Sequence, residues 1–220
     1  MNSHKRFNAD KLSSGIIVTH TLALHTEQLE VLQHKVFPHL AEEEILHADQ
    51  YKKHLEIFPE GQFVALEGGK VVGSTTTMRY HKGTSDTPHH TFSEIMGGGW
   101  LTTHNPKGEW LYGIDMSVDP DHRKKGIARD LYRARQNLCH ELDLKGQMVV
   151  GMLNGYSKVA DKMDVEEYFE KVKRGELFDP TVSVQQKLGF EIVKLMKDYL
   201  HDPTCGNAGA LMILPVDKEV

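Results

Sequence analysis

The chain has 220 residues, enough for one large domain, and its 39% hydrophobic and 26% charged residues are the composition of a folded globule rather than a disordered chain. Lys and Arg number 26 against 31 Asp and Glu, a net charge of -5 with no basic stripe, which argues against nonspecific nucleic-acid binding. Two cysteines cannot make a disulfide framework, no apolar run approaches the ~20 residues of a membrane span, and Met1-Asn-Ser-His-Lys-Arg lacks the apolar stretch of a secretory signal, so a reducing, cytoplasmic setting is expected, with neither nucleic acid nor membrane as partner.

Residues 1–14 read as a loosely ordered start. Gly15 to His20 reads as a strand, and from Thr26 the apolar positions Leu29, Leu32, Val36 and Phe37 recur at helical spacing. A second helix is expected from about Glu42 to Phe58, stopping before Pro59. Phe63–Glu67 and Lys70–Met78 form a hairpin over Gly68-Gly69. Lys82 to Gly99 is rich in turn formers and reads as a long excursion before the strand Trp110–Val118.

From Ala128 the stripe Leu131, Tyr132, Leu138, Cys139, Leu142 predicts an amphipathic helix ending near Gly146, followed by a buried strand, Gln147–Met152. Residues 155–180 read as an inserted helical segment whose helix begins with the Asp-x-x-Glu cap at Asp164. A short helix after Asp179-Pro180 ends at Gly189, and strands Phe190–Val193 and Ala210–Leu214 complete the chain. With no break in composition, the expectation is one α+β domain over 1–220, a central sheet covered by helices.

The chemistry is most legible between Gly113 and Leu131. A strand ends at Val118, Asp119-Pro120 turns the chain, and a loop carrying Arg123, Lys124, Lys125 and Gly126 feeds a helix. Free amides in a helix's first turn bind phosphate oxygens, and a glycine admits close approach. The same residues also read as a plain turn beside a solvated charge cluster. Neither a P-loop nor a G-x-G-x-x-G pattern is present, so nucleotide hydrolysis and nicotinamide binding lose ground.

Arg123-Lys-Lys-Gly126-Ile-Ala128 after the strand, with Gln185-Gln-Lys-Leu-Gly189-Phe190 later, resembles the acyl-CoA loop and the Gly-Phe helix end of the GNAT superfamily of N-acetyltransferases. Leu111-Tyr-Gly-Ile-Asp, Gly155-Tyr-Ser-Lys and Asp161-Lys-Met through Glu176-Leu-Phe-Asp-Pro are similar to the acetyltransferase domain that some bacterial proteins carry fused to a carbon-nitrogen hydrolase. The resemblance implies the GNAT fold, a mixed, mostly antiparallel sheet of about six or seven strands with helices on both faces. It also implies acetyl-CoA as co-substrate. Met116, Ser117 and Val118 would line its pantetheine arm, Arg123, Lys124, Lys125, Gly126, Ile127 and Ala128 would wrap its diphosphate, and Asn154 would touch it between the diverging strands.

The implied activity is acetyl transfer to a primary amine of a small molecule or peptide, with a homodimer possible. A non-catalytic acyl-CoA-binding module regulating a separate carbon-nitrogen hydrolase is the alternative. Deprotonating an amine of pKa ~10.4 at pH 7 costs about 4.6 kcal/mol, so a base is expected. Asp115 is the first candidate, expected to share a strand face with Gly113 and Ser117 unless a bulge re-aims it; a structural hydrogen bond is its other reading. Glu94 is the reserve, or a solvated loop carboxylate. The tyrosine that commonly protonates the thiolate in the family is replaced by Gln185, and Tyr156 is the candidate substitute, or a packed ring.

The 14 histidines form no His-x-x-x-His pattern and no metal is expected. Cys139 is expected in the core and Cys205 in an exposed turn. Glu166, Glu167 and Glu170 read as an acidic lid or, more plainly, as a solvated face.

Overall fold

The computed structural model describes residues 15–81 and 87–220, so the expectation for residues 1–14 lies outside the described part, as do residues 82–86 of the excursion. Seven strands form one sheet in the order β1-β2-β3-β4-β5-β7-β6. They are β1 (Ile17–His20), β2 (Phe63–Glu67), β3 (Lys70–Tyr80), β4 (Trp110–Val118), β5 (Gly146–Met152), β6 (Glu191–Met196) and β7 (Gly209–Pro215). All neighbouring pairs are antiparallel except β4 with β5. This is the expected α+β sheet.

The β2–β3 turn follows from two glycines: Gly68 and Gly69 have φ of 57° and 84°, which the tight connection requires and a Cβ would oppose. Helices α1 (Thr26–Val36) and α2 (Ala48–Ile57) lie between β1 and β2 in the chain. The second helix is shorter than expected. Glu42–Glu44 makes only a 3-10 turn, because Ile45 leaves the helical region at ψ 134° and the chain stays extended at His47, letting Ile45 and Leu46 both enter the core. The excursion holds a helix that its turn-rich composition hid, α3 (Phe92–Met96), closed by a Thr91–Glu94 capping box.

Helix α4 (Ile127–Glu141) buries Leu131, Ala134, Leu138 and Cys139 on the sheet, and each large apolar side chain so buried contributes roughly 1.5–3 kcal/mol. It ends before Gly146. Asp143 takes the left-handed conformation at φ 52°, and the bonds Asp143 N–H to His140 O (3.3 Å) and Leu144 N–H to Cys139 O (2.8 Å) close the last turn. Helix α5 (Val165–Lys173) starts at Asp164, which accepts from Glu167 N–H at 2.8 Å as expected. Helix α6 (Val182–Lys187) ends through Gly189 at φ 94° with Phe190 N–H bonded to Gln185 O at 3.1 Å.

The two sheet faces are covered by different helices. Side chains of β4 meet α1 on one face, while a Cβ added at Gly73 or Gly113 would strike Ile127 or Arg135 of α4 on the other. Gly151 faces α6 on that second side, against Gln185 and Val182. Among the described residues, no helix is long and apolar enough to cross a membrane.

Candidate active site

The central feature is a cleft between two strands. β4 and β5 pair only over Leu111–Gly113 and Gln147–Val149; beyond Gly113 they part, while β4 keeps β3 on its other edge and β5 keeps β7. The inner edges of Ile114–Val118 and Val150–Met152 therefore carry main-chain groups outside the β4–β5 ladder, as buried backbone seldom does without another partner. Met116, Ser117 and Val118, the expected pantetheine contacts, lie on this edge.

At the far end of β4 the loop begins with Asp119. Burial alone would raise its carboxyl, but the Lys35 ammonium at 2.7 Å and the Asp121 amide at 2.9 Å hold it at about 2. A 3-10 turn over Pro120–His122 follows, then Lys124 and Gly126 with φ of 64° and 85°. Gly126 is the N-cap of α4 and supplies no side-chain cap. A Cβ there would meet only Arg129 and Asp130 atoms at 3.6 and 3.7 Å, so backbone conformation rather than space calls for glycine. Among the described residues no hydrogen-bond acceptor is seen for the amides of Lys124 to Ala128. Arg123, Lys124 and Lys125 are exposed beside them, Lys125 within 3.4 Å of Glu67. The loop thus presents uncommitted N–H groups, a helix N-terminus and cations, which suits a phosphate group.

On the α1 face, Asp115 is buried. The register steps from Thr76↔Asp115 to Thr77↔Gly113, so Ile114 is a bulge. This corrects the simple alternation: Asp115 and Ser117 share the α1 face with Tyr112, and Gly113 points to Arg135 on the opposite side. Gln33 of α1 donates its amide to Asp115 at 2.7 Å and Ser117 Oγ lies at 3.2 Å. Burial pushes the Asp115 carboxyl up to about 7, against the hydrogen bonds from Ser117 and Gln33 that favour its charged form. A carboxylate so tuned can accept a proton near neutral pH.

His90 Nε2 lies 2.8 Å from Tyr112 Oη farther along the same face, and burial lowers the affinity of that imidazole for a second proton. The loop between β6 and β7 closes over this region. Phe92 N–H donates to Tyr199 O at 2.6 Å, Ala41 N–H to His201 O at 3.0 Å, and His201 N–H to Glu44 Oε2 at 2.7 Å. Glu94 is exposed and serves the cap of α3: its carboxylate accepts from Thr91 N–H at 2.8 Å, and that bond lowers its pKa. A lowered pKa makes it the weaker base of the two candidates.

On the α4 face, Gln185 donates to Tyr132 Oη at 2.8 Å, and among the described residues no acceptor is seen for the Tyr132 hydroxyl hydrogen. Arg135 is fully buried, its guanidinium 5.1 Å from the Tyr132 ring centre, and Nε and Nη2 have no hydrogen-bond partner among the described residues. Asn154 is exposed past the end of β5 and donates to Thr181 Oγ1 at 2.8 Å. Tyr156 is half-buried; its ring lies 5.7 Å from that of Tyr168 and against Gly206.

The segment 155–180 is tied to the body by Asp179, which is fully buried and accepts from Gly155 N–H at 2.8 Å and Tyr168 Oη at 3.0 Å. Its acidic helix is no bare lid, since Glu166 pairs with Lys197, Glu167 with Lys171 at 2.9 Å and Glu170 with Arg174 at 3.8 Å. Cys205 is buried rather than exposed: the 3-10 turn Pro203–Cys205 folds it inward, and its Sγ lies 3.3 Å from Asp202 O. Cys139 is in the core as expected.

Gln33, Tyr51, His90 and Tyr132 were not singled out from the sequence as site residues. Gln33 and Tyr51 had no signal beyond being polar residues on helical stretches, whereas Tyr132 was visible only as part of the α4 stripe.

Residues 26–154 match the family model described as "Acetyltransferase (GNAT) family". The chain is 33% identical over 187 residues to the "Uncharacterized N-acetyltransferase YkwB" of Bacillus subtilis, covering 84% of this chain and 82% of that one. It is 38% identical over 151 residues to the "Probable hydrolase YhcX" of the same organism, covering 69% of this chain but only 29% of that longer protein. Among solved structures, "GphF GNAT-like decarboxylase in complex with isobutyryl-CoA" superposes with a TM-score of 0.75 at 20% identity, over 90% of this chain and 98% of that one, a likeness of fold.

Proposed function

The chain belongs to the GNAT acetyltransferase family, and from that premise we propose that it is an N-acetyltransferase acting in the cytoplasm, moving acetyl from acetyl-CoA directly to a primary amine of a small molecule or peptide. The observation that carries this reading is the pairing of a cleft between β4 and β5 with unsatisfied amides at the mouth of α4. Together they match a long ligand with a peptide-like arm and a diphosphate. The amides of Lys124 to Ala128 would take the diphosphate and the inner edge of Met116 to Val118 the pantetheine amides, with Asn154 at the opposite lip.

In this proposal the amine enters from the α1 face. Asp115 takes its proton, directly or through one water, so that the lone pair can attack the acetyl carbonyl. Gln33 and Ser117 hold the carboxylate in place. The C–S bond then breaks as the nitrogen gives up its second proton to water or to the departing sulfur, which leaves as a thiol or as a thiolate of pKa ~8.5. Tyr156 is the acid proposed from the sequence; Tyr132, which accepts from Gln185, is a second candidate from the α4 face of the sheet.

The test is thiol release from acetyl-CoA over a panel of amines, amino acids and peptides, with acetylated product identified by mass spectrometry. Amine-dependent release with stoichiometric N-acetyl product is expected; no product with any amine would contradict the enzyme reading. The second reading, a CoA-thioester-binding module that regulates a separate carbon-nitrogen hydrolase, is favoured by Gln185 in place of the usual tyrosine and by similarity to a probable hydrolase. Acetyl-CoA binding by calorimetry without turnover would favour it.

A further inference from the structure

Away from the cleft, α1 and α2 bring together metal-ligating side chains that are scattered in the sequence. Glu30 and His34 are four residues apart on α1 and share one face of it. His47, the N-cap of α2, comes to them across the helix pair. One ligand atom from each of the three lies within 4.8 Å of the others. His47 Nδ1 is 2.9 Å from Glu30 Oε1, and the rings of His34 and His47 have centres 6.3 Å apart. Glu42, in the connection between the helices, adds a carboxylate 4.0 Å from His34 Nδ1.

Backbone contacts hold one of these side chains and the chain at another. Glu30 Oε2 accepts from Ala48 N–H at 3.0 Å, and the His47 main-chain N–H donates to Gln50 Oε1 at 2.9 Å. The Ala48 bond orients the Glu30 carboxylate before a metal arrives, and the Gln50 bond fixes the backbone that carries His47. His34 and Glu42 stay exposed, which leaves an entry path and a ring free to turn.

We propose that Glu30, His34 and His47 bind a divalent late transition metal, zinc above all, with Glu42 or water as fourth ligand. Two imidazoles select against magnesium and calcium, which take oxygen shells, and the absence of thiolate among the ligands leaves an ordinary nitrogen and oxygen site. Zinc holds imidazole nitrogen and carboxylate oxygen at ~2.0–2.2 Å, which in a tetrahedron spaces ligand atoms by about 3.3–3.6 Å. Reaching it needs His34, the most exposed of the three, to turn inward and the Glu30–His47 pair, now at 2.9 Å, to open slightly.

The metal would pin α1 to α2. His34 is the neighbour of Gln33, whose amide holds Asp115, so this tie would stiffen the support of the cleft's carboxylate. The site itself stands on its own residues and does not depend on the acetyltransferase reading.

The test uses the full chain without a histidine tag, stripped with chelator, then titrated calorimetrically with zinc chloride and melted with and without it. One zinc per chain is expected, with micromolar or tighter affinity and a raised melting temperature. His34→Ala and His47→Gln should each weaken zinc binding by at least about 100-fold, and His34→Ala should melt like the parent when both lack metal. Cobalt chloride should give the intense visible absorption of a four-coordinate ion in the parent alone. No stoichiometric zinc in the parent, or equal zinc affinity and cobalt spectra in His34→Ala, would overturn the assignment.

Discussion

Gln33 of α1 donates its side-chain amide to Asp115 Oδ2 at 2.7 Å, a bond that joins the helix bounding the cleft to the one carboxyl on β4. It acts with Ser117 to favour the charged carboxylate, but burial outweighs both and the pKa settles at about 7. The account of catalysis turns on that balance.

If Asp115 is the base, kcat/KM should fall about tenfold for each pH unit below its pKa of about 7 and level off above it. Asp115→Asn should lower kcat by roughly 100- to 10,000-fold and abolish that acidic limb. A pH profile of the parent and the variant checks both.

The same shift has the opposite sign for stability. Asp115 binds its proton more tightly folded, with a pKa of about 7, than unfolded, where the ordinary value is 3.8. Its contribution is therefore greatest below about pH 4 and is lost as pH rises through about 7, by a few kcal/mol in all. Asp115→Asn should melt roughly 5–10 °C above the parent at pH 8 and together with it at pH 4, measured by calorimetry. A lower melting point at pH 8 would show that the carboxylate is stabilising after all.

Two tyrosines compete for the proton-donor role. Tyr132→Phe removes a hydroxyl that accepts from Gln185 at 2.8 Å, and Tyr156→Phe one on a half-buried ring. The variant lacking the true acid should lose about 10- to 100-fold in kcat with KM for acetyl-CoA little changed, and the loss should shrink for thioesters with more acidic thiols. Equal, small losses in both would mean that the thiolate leaves unaided.

Both cysteines should be silent to thiol reagents in the native chain. Burial pushes the Cys139 and Cys205 thiols up to about 12, so thiolate is scarce at neutral pH. Labelling with a disulfide reagent should proceed only on unfolding; prompt reaction of one thiol would contradict the inward placement of Cys205.

The sheet is legible because its strands carry local signals: the apolar run Phe63–Leu66, the Gly68-Gly69 turn, and the apolar run of β5. The α4 stripe and the Gly189 helix end were equally local. The α4 terminus falls short of Gly146 because Asp143 takes the left-handed position, a choice no local residue type signals. The Ile114 bulge was allowed for but not locatable, since it is set by pairing with β3. Gln33 meets Asp115 across 82 positions, and Glu30, His34 and His47 converge only when α1 packs on α2, so neither arrangement could be read along the chain.

The central claim is that main-chain amides from Lys124 to Ala128 grip a diphosphate. The direct measurement is calorimetric binding of acetyl-CoA against acetyl-pantetheine, which lacks the diphosphate, to the parent and to Gly126→Asp. The parent should bind acetyl-CoA at least about 100-fold more tightly than acetyl-pantetheine, and the aspartate, placed at φ 85° with its own negative charge, should erase most of that difference. Equal affinities for the two ligands in the parent, or an undiminished preference in Gly126→Asp, would contradict it.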